Sequence, residues 1–382
     1  MNHQDSSNPQ SGSRNQHVLG AMSPDEFMAK HWQRKPAVIR AAVADAQAIM
    51  SRQDLFALAE QPDVESRLIV GQGEQWVMRS GPFKRRSLPP IARSNWTMLV
   101  QGVEALNSRA YALMQQFRFL PDARLDDVMV SWASDGGGVG PHFDSYDVFL
   151  LQLHGSRRWQ IGRQSDLSLK PNLPVKILAD FKPEQTVLLE PGDMLYLPPN
   201  WAHDGVAVGA DCMTLSVGFK APARAGLAGE VLLRMSEMYE DQRLYTDKGA
   251  QPTSEPGEMP PALLAFAQDA VQRLLKAPKA LACALGEVMT EPKPNVYFEA
   301  SDTAWDRASA LHLSPKSRML YDNHHVFING ESFKASGLDA KIIKKLTNNK
   351  FLTIADIQAL SVDARGLVSE WYEAGWLYIK AV

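Results

Sequence analysis

Three residues of metal-binding types occupy two short motifs of this chain. His142 and Asp144 stand two positions apart in Gly-Pro-His-Phe-Asp, and His203 ends a later Pro-Pro-Asn-Trp-Ala-His segment. Residues two apart on an extended strand project from one face, with roughly 6.6 Å between their backbone positions, so these side chains can converge on one ion. Two imidazoles and one carboxylate leave further positions of the ion open, as in non-haem Fe(II) oxygenases. The sequence therefore predicts an iron site at His142, Asp144 and His203.

The surroundings of these residues favour a metal site over a chance pairing. A His-x-Asp pattern by itself is more often a surface or core pair than a metal site. Here a Glu-Pro-Gly-Asp turn at 190–193 precedes the strand candidate 194–197, and two prolines follow just ahead of the histidine segment. This order recurs in jelly-roll proteins. The same ligands accept several divalent ions, so residue types alone do not select iron.

The segment that follows the first motif predicts a strand pair with an inward-facing arginine. A nearly continuous apolar run at 146–153 is followed by His-Gly-Ser and a second run at 157–162, which is a hairpin pattern. Alternation along the second run places Arg157 on the same face as Trp159, and Arg158 on the opposite face. We therefore expect one of the two arginines to point into the core.

A buried arginine needs an anionic partner, because an unpaired charge in a low-dielectric interior is very unfavourable. The dicarboxylate 2-oxoglutarate would satisfy Arg157, since a guanidinium binds a carboxylate through two parallel hydrogen bonds while the keto acid end chelates iron. The alternative is an internal salt bridge with an Asp or Glu. Ser216 and Ser131 are candidates for a further hydrogen bond to the co-substrate, and a structural role explains both equally well.

The elements that must position these residues form a sheet-rich first half. Residues 1–20 are polar and predict a disordered tail, and Ser23-Pro24 with Glu26 predicts the capped start of a helix. Short strands separated by Gly and Pro then indicate a sandwich or jelly roll. The strand candidates are 128–134, 146–153, 157–162, 185–189, 193–197 and 212–219.

The second half changes in composition and predicts two further parts. Residues 222–290 are rich in Ala, Leu, Met, Glu and Arg and predict a helical module. Residues 291–382 predict strands within 310–333 with an Asn329-Gly330 turn, helices at 339–346 and 354–374, and a strand at 376–381. The fold class is therefore α+β, with a sandwich or jelly-roll core in 21–221, a helical module and a C-terminal winged-helix-like domain.

Bulk properties exclude several classes of protein. The 382 residues carry a formal net charge of -3, so overall charge does not indicate nucleic-acid binding. No apolar stretch approaches the roughly 18 residues of a membrane span, and the two cysteines, Cys212 and Cys283, do not suggest a disulfide framework. The expectation is a cytoplasmic protein without a membrane partner.

Several short stretches, taken together, resemble one known family. They are His31-Trp32, Lys35-Pro36, Asn95-Trp96, the segment 136–142, Asp144, the segment 146–149 and the segment 216–219. With them the chain resembles the JmjC-type ribosomal oxygenases, and in particular their bacterial branch, over nearly its whole length after about residue 20. The resemblance implies a double-stranded β-helix (cupin/jelly-roll) catalytic core at 21–221, a helical dimerisation module at 222–290 and a C-terminal winged helix at 291–382.

The resemblance also implies roles for individual residues. The iron ligands of the family fall on His142, Asp144 and His203, and its 2-oxoglutarate anchor falls on Arg157. The bacterial branch hydroxylates one arginine of a large-subunit ribosomal protein, the sixteenth, so the expected partners are that protein and a second copy of the chain. Tyr146 and Asp147 are candidates to face the substrate, because a tyrosine and an acid suit an arginine; either could instead be a packed strand residue.

Two other classes of function remain open. One is a different cupin metalloenzyme, such as an isomerase or a dioxygenase without an oxo-acid co-substrate, which would not need an inward Arg157. The other is a regulator that joins a ligand-sensing cupin to a DNA-binding winged helix. Lys341, Lys344, Lys345 and Lys350 could form a basic face for that purpose, although a run of charges is usually only a solvated surface.

Overall fold

The structure is a computed structural model that describes residues 18–276, 278–306 and 308–380. The chain divides into two compact units, and the boundary lies between Ala221 and Pro222. Of the described helices, none combines the length and the apolar character needed to cross a bilayer. The division of the second unit into a helical module and a terminal domain at residue 290 stays a prediction.

The first unit is built on one antiparallel sheet. Its described strands are β1 (Ala37–Ile39), β2 (Ser66–Gln72), β3 (Gln75–Ser80), β4 (Trp96–Val100), β5 (Leu125–Ala133), β6 (Asp147–Gly162), β7 (Gln185–Leu189), β8 (Met194–Leu197) and β9 (Ala202–Phe219). They follow the order β1-β8-β6-β9-β5-β4-β2-β3, and β7 pairs with β6 as well. Residues of β2 to β6 and β9 line one cavity, so the sheet curls around it. The jelly-roll core is confirmed.

Three helices accompany this sheet: α1 (Pro24–Lys30), α2 (Arg52–Ala59) and α3 (Ser108–Gln115). The side chain of Ser23 caps α1 by accepting a hydrogen bond from the backbone N–H of Glu26, as predicted. The carboxylate of Glu26 binds Lys30. Phe27 is fully buried, and its ring lies 4.9 Å from that of Tyr196. Burial of this one ring stabilises the fold by about 2 kcal/mol. The contact holds α1 against the outer face of the sheet.

The ordered chain begins earlier than predicted. Residues 1–17 of the predicted disordered tail lie outside the described residues, but 18–20 lie within them. Val18 and Leu19 are both buried in the core of the first unit. Assigning these two residues to the tail was wrong, because two adjacent aliphatic side chains supply enough apolar surface to dock on the α1 region.

The predicted hairpin at 154–156 was also wrong. β6 runs without reversal from Asp147 to Gly162 and pairs with β9 along its length, with shifts of register on either side of His154. Gly155 has φ +58°, and a Cβ at this position would lie 2.9 Å from the carbonyl oxygen of Asp211. A glycine with positive φ serves a bulge as well as a turn. Here Gly155 follows a bulge, because β6 advances from Gln152 to His154 while β9 advances only from Thr214 to Met213, and the strand continues.

The bulge changes which residues of β6 face the cavity. Before it, the even-numbered residues Val148 and Leu150 line the cavity; after it, the odd-numbered residues Arg157 and Trp159 do. A regular strand keeps one parity along its length. The bulge therefore turns Arg157 inward, and Arg158 is exposed. The predicted orientation of the two arginines is confirmed.

The second unit begins with three helices, α4 (Arg224–Glu237), α5 (Pro261–Leu275) and α6 (Pro278–Thr290). Helices α4 and α6 pack together through Val231, Met235 and Ala284. The segment between α4 and α5 is not helical. The predicted helical module is therefore helical over only part of 222–290.

Two small sheets and three helices complete the second unit. The described elements are β10 (Leu311–Leu313), β11 (Met319–Tyr321), β12 (His325–Ile328), β13 (Glu331–Lys334), α7 (Gly337–Asn349), β14 (Phe351–Leu352), α8 (Ile354–Ala359), α9 (Val362–Glu373) and β15 (Leu377–Tyr378). The sheets have the orders β14-β10-β15 and β11-β12-β13. This is the predicted winged-helix-like arrangement.

Two local predictions in this unit have different outcomes. Asn329 and Gly330 both have positive φ and join β12 to β13, so the predicted two-residue turn is confirmed. The single helix predicted at 354–374 is wrong. Leu360 is extended, and the side chain of Ser361 accepts a hydrogen bond from the N–H of Ala364 to begin α9. A serine that caps a new helix interrupts the old one.

Candidate metal and co-substrate site

A cavity of about 410 Å³ lies inside the sheet of the first unit. This volume is typical of sites for small ligands. Seven of the eight residues that the sequence predicts for the site line it, namely Ser131, His142, Asp144, Tyr146, Arg157, His203 and Ser216. The eighth, Asp147, does not.

His142, Asp144 and His203 form a compact cluster. One potential ligand atom from each lies within 4.8 Å of the others. The backbone N–H of His142 donates to the carbonyl oxygen of His203 at 3.0 Å, and the reverse bond measures 2.8 Å. This pair of backbone hydrogen bonds holds the two histidines side by side, with their ring centroids 4.2 Å apart. Two segments therefore supply the cluster: residues 140–144 provide His142 and Asp144, and the start of β9 provides His203.

The hydrogen bonds of the two imidazoles fix which nitrogen can bind a metal. Nδ1 of His142 lies 2.8 Å from the carbonyl oxygen of Gly140, and Nδ1 of His203 lies 2.9 Å from that of Trp201. A carbonyl oxygen only accepts, so each Nδ1 carries the proton and each Nε2 keeps its lone pair. Orientation of metal-binding histidines by backbone carbonyls is common. Both rings are thus prepared to bind through Nε2.

The environment of His203 keeps its ring neutral. The residue is 2% exposed, and burial, followed by the proximity of His142, lowers the pKa of His203 to about 4. Nε2 of His203 lies 3.6 Å from a carboxylate oxygen of Asp144. Two neutral imidazoles and one carboxylate form a donor set for a divalent transition metal. The residues present therefore fit such an ion.

Arg157 lies in the same cavity with an unsatisfied donor. The residue is 3% exposed, and its Nε donates to the sulfur of Cys212 at 3.4 Å. Its Nη2 has no hydrogen-bond partner among the residues that the structure describes. The alternative of an internal salt bridge is not formed in the described part of the chain. A buried guanidinium left in this state costs several kcal/mol, so the cavity fits an anionic ligand.

The two serines lie on neighbouring strands. Ser131 is 5% exposed and its hydroxyl donates to the carbonyl oxygen of Thr214 at 3.4 Å, which is a weak structural contact. Ser216 is 7% exposed and lines the cavity from β9. Ser216 is therefore the better placed of the two for a ligand.

Tyr146 contributes a neutral hydroxyl at the cavity. Its side chain is partly exposed. Burial of the phenol, and secondarily the negative charge of Asp144, raise the pKa of Tyr146 well above its usual range. The hydroxyl therefore remains protonated, and the carboxylate of Asp144 accepts its hydrogen bond beside the metal cluster.

Asp147 faces away from the cavity. It is fully buried; one carboxylate oxygen accepts hydrogen bonds from Arg124 and Gln33, and the other accepts one from the hydroxyl of Tyr196 at 2.6 Å. Neighbours on a strand face opposite sides, so Tyr146 and Asp147 could not both face the substrate. Asp147 is therefore a packed strand residue, which is the alternative that the sequence analysis gave for it.

Sequence reasoning did not single out two residues that also line the cavity. Trp159 lies with its ring centroid 5.8 Å from that of His203. Asp127 is 5% exposed and accepts a hydrogen bond from Gln101. The alternation that revealed Arg157 already placed Trp159 on the same face, so a signal for Trp159 was present. No comparable signal marked Asp127.

Comparison with known proteins gives consistent matches. The model of the JmjC domain family matches residues 112–227, and that of the ROXA-like winged helix matches 269–378. Ribosomal protein uL16 3-hydroxylase of Escherichia coli (strain K12) is 35% identical over 80% of this chain and 84% of its own.

Solved structures agree with the family models. The crystal structure of ycfD from Escherichia coli superposes with a TM-score of 0.83 at 27% identity, over 94% of this chain and 99% of that one. A structure of YcfD, a ribosomal oxygenase from Escherichia coli, in complex with cobalt and 2-oxoglutarate gives a TM-score of 0.79 at 27% identity, with the same coverage.

The structural role of Asp147 predicts a loss of stability on substitution. Asp147→Asn should lower the free energy of unfolding by about 2–4 kcal/mol, because Arg124 loses its buried ionic partner. Urea unfolding of the purified chain measures this. Asp126→Asn is the control, since Asp126 is partly exposed with Lys220 at 3.9 Å, and it should cost less than about 1 kcal/mol. Unchanged stability of Asp147→Asn, with weaker substrate binding, would restore the substrate role.

Proposed function

The chain belongs to the family of JmjC-type ribosomal oxygenases, and we propose that it is an Fe(II)- and 2-oxoglutarate-dependent dioxygenase that hydroxylates one arginine of the large-subunit ribosomal protein uL16. The observation that carries this proposal is the buried Arg157, whose Nη2 is unpaired, in the same cavity as the His142, Asp144 and His203 cluster. A ribosomal substrate would place the reaction in the cytoplasm.

The metal would be held by Nε2 of His142, a carboxylate oxygen of Asp144 and Nε2 of His203. Bound Fe(II), with 2-oxoglutarate and dioxygen, supplies the oxidation that converts a C–H bond into C–OH and releases succinate and carbon dioxide. The chain itself contributes fixed ligand directions, through the carbonyl groups that orient both imidazoles. The structure of a relative in complex with cobalt and 2-oxoglutarate supports the binding of a divalent metal and of this co-substrate.

Arg157 would hold the distal carboxylate of 2-oxoglutarate. Its guanidinium can present two parallel N–H groups to one carboxylate, which gives both affinity and direction. Ser216, and with a weaker case Ser131, would add a hydrogen bond from the neighbouring strands. Because Arg157 is 3% exposed, its ion pair with the ligand would be little screened by water.

The arginine side chain of the substrate would lie beside Tyr146. The phenol oxygen can accept a hydrogen bond from a guanidinium, and the carboxylate of Asp127 lines the same cavity. Negative groups near the reaction site suit a cationic side chain. This arrangement supports arginine over an apolar target residue.

The regulator hypothesis receives less support. Among the four lysines of the suggested basic face, Lys345 is paired with Asp356 at 2.7 Å and Lys344 lies over the ring of Tyr321. Part of the positive charge is therefore already balanced within the domain. We accordingly do not propose direct binding of nucleic acid.

We also propose that the chain forms a homodimer through α5. None of the 15 residues of this helix is fully buried, although Leu274 packs against the α4–α6 cluster. Leu264, Val271 and Leu275 are each about half exposed and lie along one stripe of the helix. Exposed apolar stripes of this kind mark interfaces, and a second copy of α5 would cover this one.

The proposed reaction predicts a defined product. With Fe(II), 2-oxoglutarate and dioxygen, a recombinant uL16 fragment should gain the mass of one oxygen atom on one arginine, and succinate should form in equal amount. His142→Ala should abolish both products. Arg157→Met should raise KM for 2-oxoglutarate by roughly 100-fold, because a charged bidentate pair is lost. Mass spectrometry of the fragment and a succinate assay measure these changes.

Arg158→Met is the matched control for Arg157→Met. Arg158 is the adjacent residue, is exposed and faces away from the cavity, so its loss should leave KM unchanged. An iron-loaded protein that hydroxylates no ribosomal fragment would contradict the proposed substrate. Succinate formation that is equally fast in Arg157→Met would contradict the anchoring role.

The dimer proposal predicts a change of mass in solution. The wild-type chain should sediment as a dimer at micromolar concentration, and Leu264→Asp combined with Val271→Asp should sediment as a monomer, because two charges would enter the apolar interface. Arg273→Ala, on the opposite face of α5, serves as the control and should remain dimeric. A monomeric wild-type chain would contradict the proposal.

A further inference from the structure

The described residues contain three buried side-chain nitrogen atoms without a hydrogen-bond partner. They are Nη2 of Arg157, Nε1 of Trp159 and Nε1 of Trp371. Arg157 and Trp159 lie two positions apart on β6, line the same cavity and point to the same side. Buried donors are nearly always satisfied in folded proteins. Two unpaired donors in one cavity therefore indicate a ligand that accepts from both.

The position of Trp159 lies between the arginine and the metal cluster. Its ring centroid is 5.7 Å from Cζ of Arg157 and 5.8 Å from the ring centroid of His203. A ligand that extends from the metal to the guanidinium must pass beside this ring. Trp159 is 5% exposed. Bulk water therefore does not readily take the place of a ligand as the acceptor for its indole N–H.

A glycine on the neighbouring strand makes room for the indole. Gly205 of β9 pairs with Trp159, and a Cβ built on Gly205 would lie 2.5–2.8 Å from three atoms of the Trp159 ring. Any other residue at 205 would push the ring away. The close approach fixes the ring, and with it the direction of its N–H.

We propose that Trp159 is a second donor to the co-substrate, and that its Nε1–H gives a hydrogen bond to a carboxylate oxygen of the oxo dicarboxylate that Arg157 anchors. This inference rests on the proposed function. A carboxylate oxygen has lone pairs to spare after binding a guanidinium or a metal. Trp159 therefore acts as a positioning residue that holds the co-substrate between its two ends.

The test compares binding of 2-oxoglutarate with and without the N–H group. Trp159→Phe keeps an aromatic ring and removes the donor. Isothermal titration of 2-oxoglutarate into the Mn(II)-loaded full chain should give a dissociation constant roughly 10- to 100-fold higher than for the wild type, as expected for one hydrogen bond to a charged acceptor. The affinity for Mn(II) alone should not change.

Trp371→Phe is the matched control. It removes the other unpaired indole N–H, in the second unit and outside the cavity, so its dissociation constant for 2-oxoglutarate should equal that of the wild type. Without ligand, both variants should unfold at a somewhat lower temperature than the wild type, because each loses buried ring volume. With 2-oxoglutarate, only Trp159→Phe should show a smaller rise in unfolding temperature.

The outcomes separate this inference from the function on which it rests. If the wild type does not bind 2-oxoglutarate, the proposed function fails and this inference with it. If the wild type binds and Trp159→Phe binds equally well, the inference alone is overturned, and the indole is a structural group. A loss of Mn(II) affinity in Trp159→Phe would also overturn it, because the ring would then support His203 instead.

Discussion

A buried guanidinium with an unpaired N–H group is the constraint around which the catalytic unit is arranged. Arg157 lies inside the curled sheet, and its Nη2 has no acceptor among the described residues. The desolvation of such a group is tolerated only where an anion can enter. The cavity, the unpaired N–H of Trp159 and the nearby metal cluster are all explained by one anionic ligand that also reaches a metal.

The direction of Arg157 depends on the bulge in β6. The extra residue of β6 between Gln152 and His154 changes the inward parity from Val148 and Leu150 to Arg157 and Trp159. The first half of the strand can thus present Phe149 and Leu151 to the outer core, while the second half presents a charge to the cavity. This bulge separates a packing role from a binding role on a single strand.

Backbone hydrogen bonds also position the metal cluster. Each histidine is oriented by the carbonyl group of the residue two positions before it, Gly140 for His142 and Trp201 for His203. The two backbone segments are then tied together by reciprocal hydrogen bonds. The ligand directions are therefore set by backbone geometry, which changes little when side chains elsewhere are substituted.

Sequence reasoning was strongest where local spacing decides the structure. The shared face of His142 and Asp144, the inward Arg157 and the turn at Asn329 follow from periodicity and turn chemistry. It was weaker where partners come from distant segments. Asp147 was placed with Tyr146 because a tyrosine and an acid suit an arginine, but its role is set by Arg124, Gln33 and Tyr196. The His154-Gly155-Ser156 segment resembles a turn until the pairing with β9 is known.

The most direct test of this account is a crystal structure of the wild-type chain with Mn(II) and 2-oxoglutarate. The account predicts one metal ion bound by Nε2 of His142, Asp144 and Nε2 of His203, with the keto acid end of the ligand on the metal and its distal carboxylate paired with Arg157. A metal ion bound elsewhere, or a ligand whose distal carboxylate lies away from Arg157 while the guanidinium stays unpaired, would contradict it.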